Sequence, residues 1–164
     1  MEDQQLLQFF SEILAEADEN EKSSLYSLLE GVLKKQRNEY KTYLAGLMGI
    51  KSKLLDENTY ESIIPVRDLV HNPLQMVHGG ITASLIDIAM GSLVHQSLPS
   101  DQAAVTSEMN IHFLSKGDGN ELRCRSHIVF KSRTRWVIKA NVYRDDGTIV
   151  ATATGNFIVI PRKV

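Results

Sequence analysis

The stretch from Val77 to Gln96, VHGGITASLIDIAMGSLVHQ, combines residue types that could polarise and cleave a carbonyl compound. It is apolar enough for a buried helix, yet it begins with His78-Gly79-Gly80 and carries one carboxylate, Asp87. The first N–H groups of a helix have no internal partners, and the helix dipole makes that end positive. Two glycines let a ligand approach the backbone closely. This helix start therefore suits an anion such as phosphate, or a developing oxyanion.

Simpler explanations exist for both features. The glycines could serve only tight packing of the helix on a sheet, and HGG lacks the glycine spacing and the lysine of a phosphate-binding P-loop. An unpaired aspartate in an apolar helix is costly, and the sequence neighbours of Asp87 offer no partner. Either a cation elsewhere pairs with it, or it faces a polar cleft as a general base or nucleophile.

The separation of the two features predicts the assembly. Gly79 and Asp87 are eight residues apart, or about 12 Å along a helix. A base and an oxyanion donor that act on one carbonyl must both lie within a few ångströms of it. Two antiparallel copies of the helix can meet that condition. If both residues act on one substrate, we expect a twofold dimer with two shared sites.

The flanking sequence has two regions of different periodicity. Residues 1 to about 46 have apolar residues at three- and four-residue spacings, with ADENEKSS between two stripes, which predicts an antiparallel helical pair. This extension either packs on the main domain, forms an oligomer contact or covers a binding cleft. Residues 47–164 form the main domain. It opens with two predicted strands, MGIKSKLLD and TYESIIPV, around a turn at Glu57-Asn58.

The main domain continues as one helix from Gly79 to about Ser97 and then as four strand-like segments. These segments are AAVTSEMNIHFLS, NELRCRSHIVFKS, RWVIKANVYRD and TIVATATGNFIVI, with RDDGT as an Asp-Gly hairpin turn. Strands joined by short turns should be antiparallel. A helix that is apolar almost all round must be wrapped by the sheet. We therefore predict an α+β fold.

Composition excludes several classes of function. The 164 residues carry a net charge of −2, without the basic excess of a nucleic-acid binder. No apolar run approaches the roughly 18 residues of a membrane span, and the acidic, polar start MEDQQLLQFF is unlike a signal peptide. Cys124 is the one cysteine, so no internal disulfide is possible. We expect a cytoplasmic protein.

The order of elements, with NPLQMVHGGITASLIDIAMG at the helix and VTSEMNIHFLS after it, resembles the hotdog-fold acyl-CoA thioesterases of the phenylacetate-pathway, PaaI-like type. The resemblance covers residues 48 to about 161. Its motif is an asparagine, a histidine six residues later, two glycines, and an aspartate nine residues after the histidine. Asn72, His78, Gly79-Gly80 and Asp87 match it.

The resemblance implies an enzyme that hydrolyses acyl-CoA thioesters. The backbone N–H of Gly79 would polarise the thioester carbonyl, with Asn72 as a side-chain donor to the same oxygen. Asp87 of the other subunit would activate water or attack the carbonyl, and Thr106 would help to hold the water. No metal or bound redox cofactor is expected, and CoA arrives as part of the substrate. Such proteins are usually homodimers or dimers of dimers, and the resemblance implies the same here.

Other positions have less specific predictions. His78 should orient the loop through hydrogen bonds, and Gly80 should belong to the substrate-binding helix start. Relatives often have glycine where this chain has Gln75, and another glycine in the turn that reads KSRTR here. The basic residues of that turn either hold CoA phosphates or are simply solvated: Lys131, Arg133 and Arg135. No His/Cys/Asp cluster has metal-ligand spacing.

Two other functions compete with hydrolysis. A non-catalytic acyl-CoA binder or sensor would keep the fold without turnover, but it has no use for Asp87. A hotdog hydratase acting on enoyl-CoA would need a different Asp and His motif, which the sequence lacks. Thiol release from a panel of acyl-CoAs, with Asp87→Ala as control, separates these alternatives.

Overall fold

The computed structural model describes residues 2–162, which divide into two compact units after Gly49. The first unit contains α1 (Asp3–Glu16), α2 (Glu19–Gln36) and α3 (Tyr43–Leu47). Asp18 separates α1 from α2 by capping: its carboxylate accepts from the Glu21 N–H at 2.9 Å, and the Glu21 carboxylate accepts from the Asp18 N–H at 2.9 Å. This reciprocal cap satisfies two donors at the start of α2.

The second predicted stripe, which reached Leu47, is not one continuous helix. α2 stops at Gln36, and Asn38 adopts a left-handed φ of 61°, a conformation that asparagine tolerates at helix ends. Thr42 then starts α3, because its hydroxyl accepts from the Ala45 N–H at 3.1 Å. The apolar spacing continues across a break that these two polar residues impose.

The predicted pairing of the first two helices is also wrong. α2 packs against α3, whereas α1 buries none of its residues. Two glycines explain the contact, since a Cβ atom added to Gly31 would lie 2.6 Å from the carbonyl carbon of Gly46. A Cβ on Gly46 would likewise lie 2.6 Å from the carbonyl oxygen of Gly31. The two backbones touch, so only glycine fits at these positions.

The second unit is a six-stranded antiparallel sheet with the order β1-β2-β4-β5-β6-β3. Its strands are β1 (Lys51–Asp56), β2 (Thr59–Pro65), β3 (Gln102–Phe113), β4 (Glu121–Lys131), β5 (Arg135–Arg144) and β6 (Ile149–Pro161). The turn at Glu57-Asn58 is confirmed. In the Asp-Gly turn, Gly147 has φ 85° and the Arg144 N–H donates to the Thr148 carbonyl at 2.9 Å.

The position of β3 in the sheet differs from chain order. Although β4 follows β3 in sequence, β3 pairs with β6 and forms an edge of the sheet. The chain between Phe113 and Glu121 therefore passes β6 and β5 to reach β4 rather than forming a hairpin. An edge strand leaves a row of backbone donors and acceptors unpaired.

The helix α4 (Gly79–Ser97) has the predicted bounds, and it packs against five strands, β2 to β6. Its inward residues are buried to 0% exposure: Leu85, Ile86, Ala89, Met90, Leu93 and Val94. Ser126 of β4 donates to the Ala89 carbonyl at 3.0 Å, which gives a buried hydroxyl its partner. The sheet thus surrounds one long helix, and the predicted α+β hotdog fold is confirmed.

Cys124, on β4, is fully buried, and burial raises the pKa of its thiol well above the ordinary value. A thiol in this environment stays protonated and unreactive. Among the described residues, no helix combines the length and hydropathy needed to cross a membrane.

Candidate active site

The segment between β2 and α4 holds the start of α4 in place through its backbone. It includes a 3₁₀ turn, Asp68–Val70, and an antiparallel bridge between His71 and Val77. The His78 N–H donates to the Val70 carbonyl at 2.8 Å, and the Val77 N–H donates to the Gly117 carbonyl at 2.7 Å. The helix start is therefore tied on both sides by main-chain hydrogen bonds.

His78 caps α4 with its own ring. Nδ1 accepts from the Gly80 N–H at 3.0 Å, and the His78 carbonyl accepts from the N–H groups of Ile81 and Thr82 at 2.9 and 3.1 Å. The Gly79 N–H, by contrast, has no acceptor among residues 2–162. Of the two glycines in the motif, only Gly79 thus presents a donor to a ligand.

Asn72 lies in a tight loop that its side chain organises. Its Oδ1 accepts from the N–H groups of Leu74 and Met76 at 2.9 and 3.3 Å. This arrangement commits the oxygen to the loop and leaves the amide Nδ2, which has no acceptor in the described part of the chain, able to donate. Gln75 has a left-handed φ of 57° in this loop, the region that favours glycine.

Asp87 is half-buried in α4, and it has a partner that its sequence neighbours do not supply. The Thr106 hydroxyl, on β3, donates to Asp87 Oδ1 at 2.7 Å. A cation was one predicted partner, but the observed group is a neutral hydroxyl. This hydrogen bond fixes one carboxylate oxygen and leaves Oδ2 for a water molecule or a substrate.

A further side chain, which the sequence did not single out, lies at the helix start. Phe113 ends β3, and its Cε1 and Cζ atoms are each 3.7 Å from the position of a Cβ on Gly79. An apolar residue at a strand end carries no sequence signal for function, so this contact could not be predicted. The edge strand β3 therefore contacts both ends of the candidate site, with Thr106 at Asp87 and Phe113 at Gly79.

The basic residues of the β4–β5 turn are remote from the helix start of their own chain. Leu122, the second residue of β4, lies near Val77, because both flank the Cβ position of Gly117 at 3.3 and 3.2 Å. Lys131 ends the same strand, about 30 Å away at roughly 3.3 Å per residue. Its ammonium lies 4.5 Å from the ring centroid of Trp136, a cation–π contact. Arg133 and Arg135 are exposed in and beside this turn.

No group of three or more His, Cys, Asp or Glu side chains within residues 2–162 is placed to hold a metal ion. The geometry instead offers hydrogen-bond donors at one point of α4 and a carboxylate at another. Donors of this kind stabilise a developing oxyanion, and such a carboxylate can activate water. These are the groups required for hydrolysis of an activated carbonyl compound.

One family model and several solved structures match the chain. The model described as "Domain of unknown function (DUF4442)" matches residues 34–159. The BH2602 protein from Bacillus halodurans, whose crystal structure was determined with CoA, is 44% identical over 94% of this chain and 99% of its own, with a TM-score of 0.87. No curated protein matches the sequence.

Two more distant structures have the same fold. The phenylacetic acid degradation-related protein from Ralstonia eutropha JMP134 is 26% identical over 77% of this chain and 97% of its own, with a TM-score of 0.68. A thioesterase family protein from Silicibacter pomeroyi is 22% identical over 79% and 98%, with a TM-score of 0.71. The resemblance drawn from the sequence to hotdog thioesterases of the phenylacetate-pathway type is confirmed.

Proposed function

The chain belongs to the DUF4442 family, in a hotdog fold, and on that premise we propose that it is an acyl-CoA thioesterase. The reaction adds water across the thioester carbonyl and releases a free acid and CoA. Crystals of the 44% identical relative contained CoA, which supports CoA as the group recognised by this chain. The observation that carries the proposal is the hydrogen bond from Thr106 to Asp87, since it prepares a carboxylate on the apolar helix for chemistry.

The oxyanion site is proposed at the start of α4. The free N–H of Gly79 donates to the thioester oxygen, and the Nδ2 of Asn72 donates to the same atom. His78 acts as a positioning residue, because its ring caps Gly80 and so orients the first turn. Gly80 leaves room for that ring in the substrate-binding helix start, since a Cβ there would lie 3.3 Å from His78 Nδ1. Each lost oxyanion donor typically costs about 10²–10³-fold in turnover.

Asp87 supplies the attack in this proposal. With Oδ1 held by Thr106, the other carboxylate oxygen either removes a proton from a water molecule or attacks the thioester carbon itself. In the first case hydroxide adds to the carbonyl and the CoA thiolate leaves. In the second case CoA leaves first, and water then hydrolyses the acyl–aspartyl anhydride.

The two halves of the site come from two subunits in this proposal. Thr106 marks the Asp87 end of the edge strand β3, and Phe113 marks the Gly79 end. Antiparallel pairing of two β3 strands about an axis near Met109 would place Thr106 of one copy beside Phe113 of the other. Asp87 would then lie near Gly79 of the partner subunit. The two residues could therefore act on one substrate, although about 12 Å separates them along a single helix.

The CoA phosphates are proposed to contact the basic turn that contains Lys131, Arg133 and Arg135. Because this turn lies far from the helix start of its own chain, its residues would serve a substrate bound at the site shared with the partner. Exposed cations of this kind form charge-assisted hydrogen bonds with phosphate oxygens. Charge removal at all three positions should raise KM for acyl-CoA without lowering kcat.

Thiol release from a panel of acyl-CoAs tests the function. The wild type should release CoA from at least one member, and Asp87→Ala should not. Acyl-CoA binding measured by calorimetry, with no thiol release by the folded wild type, would instead identify the protein as a binder or sensor.

A further inference from the structure

Phe113 combines exposure with a position beside an unpaired backbone donor. Its side chain is 55% exposed in the single chain, whereas Trp136 and Phe157 of the same sheet are each 1% exposed. Its ring atoms Cε1 and Cζ lie 3.7 Å from the Cβ position of Gly79. An apolar ring of this size is normally buried unless it contacts a ligand or a partner.

The contact sets an upper limit on the distance between the Phe113 ring and the Gly79 N–H, the proposed oxyanion donor. The Cβ position of a residue is about 2.5 Å from its own backbone nitrogen, from standard bond lengths and angles. The ring edge of Phe113 therefore lies within about 6 Å of the Gly79 nitrogen. A carbonyl oxygen that accepts from this N–H sits about 2.9 Å from the nitrogen. The ring therefore lies in the immediate surroundings of any carbonyl group that accepts from the Gly79 N–H.

We propose that Phe113 limits the bulk of the acyl group next to the thioester carbonyl and so determines acyl specificity, an inference that rests on the thioesterase function proposed above. A phenyl ring offers no hydrogen bond to the polar arm of CoA. It does offer an apolar wall, and the acyl group is the apolar part that differs between substrates. The ring fills the space that a branched or aromatic acyl group would need beside Gly79.

The test compares Phe113→Ala and Phe113→Leu with the wild type on acetyl-, isobutyryl- and benzoyl-CoA, which differ in bulk beside the carbonyl. Phe130→Ala is the matched control, since Phe130 is 53% exposed and lies near the far end of β4 from the helix start. All variants are checked by circular dichroism and light scattering. If Phe113→Ala does not fold, Phe113→Leu carries the test.

We expect kcat/KM for the bulkier substrates to rise relative to acetyl-CoA by at least roughly 10-fold in Phe113→Ala, because even one methylene in an apolar pocket changes discrimination by about 10- to 200-fold. Phe113→Leu should give a smaller rise, and Phe130→Ala none. An unchanged or reduced ratio in folded, dimeric variants overturns the proposal while leaving the thioesterase function intact. So does loss of the dimer in both Phe113 variants, because the ring then serves to hold the two β3 strands together rather than to limit the acyl group. A wild type that releases no thiol from any substrate removes both proposals.

Discussion

Asp87 occupies a position where stability and chemistry make opposite demands. On the apolar helix α4 a carboxylate costs free energy, and a single neutral hydroxyl, that of Thr106, compensates only part of the cost. Rules of helix composition are most often broken where function requires it. Substitution of Asp87 is therefore the most direct test of the proposed mechanism.

Replacing Asp87 with Asn should lower turnover by at least about a hundredfold, the usual scale for loss of a general base. The amide keeps the size of the side chain and can still accept from Thr106, so the protein should stay folded and gain stability in thermal unfolding. Thr106→Val is the companion variant. This variant removes one hydrogen bond to a charged group, worth about 1.5–3 kcal/mol, and it should lower turnover roughly 10- to 100-fold. Near-normal thiol release by folded Asp87→Asn would exclude this carboxylate from the reaction.

At this scale the sequence was informative about residue types and less so about geometry. The spacing of Asn72, Gly79 and Asp87 predicted candidates because few other roles explain such residues on an apolar helix. It could not predict that the His78 ring would take the Gly80 N–H, or that Gln75 would adopt a left-handed φ. Both depend on how the loop closes, because the His78 N–H donates to the Val70 carbonyl and the Val77 N–H donates to the carbonyl of Gly117, which is far away in sequence.

Among the elements, β1, β2 and β4 are linked by a cluster of charged side chains around Glu61. Glu61 of β2 is 1% exposed, and its carboxylate accepts from Arg125 Nε at 2.8 Å, with Lys53 and Arg123 nitrogens at 3.5 and 3.7 Å. Burial alone would raise the pKa of Glu61, but the Arg125 hydrogen bond and the nearby cations outweigh it and hold the pKa below its ordinary value. The folded state therefore prefers the charged form.

Glu61→Gln should lower the free energy of unfolding at neutral pH by about 1–2 kcal/mol, because a charge-assisted hydrogen bond is lost while the three cations remain partly solvated. The pH dependence follows from the lowered pKa. The Glu61 contribution is complete above the ordinary glutamate pKa of about 4.3, and it is lost as pH falls through the folded-state value. Denaturant unfolding across that acidic range should show a decline in the wild type that is smaller in the variant. Parallel curves would mean that Glu61 titrates alike in both states.

Element boundaries were predictable from local chemistry, whereas contacts between elements were not. The limits of α4 could be predicted from Gly79 at one end and, shortly after the other, from Pro99, a residue that cannot continue a helix. The position of β3 beside β6 is a long-range pairing that no local pattern encodes. In the N-terminal unit, the apolar period continued across Asn38, and only the backbone contact of Gly31 with Gly46 shows that the second helix packs on the third.

For the whole molecule, a shared site makes a quantitative prediction about mixed subunits. Asp87→Asn and Asn72→Ala should each be nearly inactive alone, since every site lacks one component. Mixed and re-equilibrated in equal amounts, they should regain up to about a quarter of wild-type activity, because half of the dimers carry one intact site of two. Light scattering should show an even multiple of the chain mass. An active monomer, or no recovery in demonstrated heterodimers, would contradict the shared site.

The N-terminal unit is expected to act on assembly or on access to the acyl pocket, not on bond cleavage. Its exposed apolar side chains must be covered somewhere, since short helices are marginal alone in water: Leu6, Leu7, Phe9 and Leu14 are all at least 40% exposed. Deleting residues 1–44 should leave measurable thioesterase activity while changing oligomer size, solubility or acyl preference. A truncated protein that stays folded and dimeric but has no turnover would place part of the active site in the helices.

The burial of Cys124 has a practical consequence for the choice between the two mechanisms. The chain has one cysteine, and its thiol is inaccessible and protonated. A chromogenic disulfide reagent used to detect free CoA should therefore not react with the native enzyme. Enzyme can then be used at concentrations equal to the substrate without background signal. Under those conditions, attack by Asp87 with slow anhydride breakdown would give a rapid burst of one CoA per site, whereas direct hydrolysis would give a linear trace from the first moment.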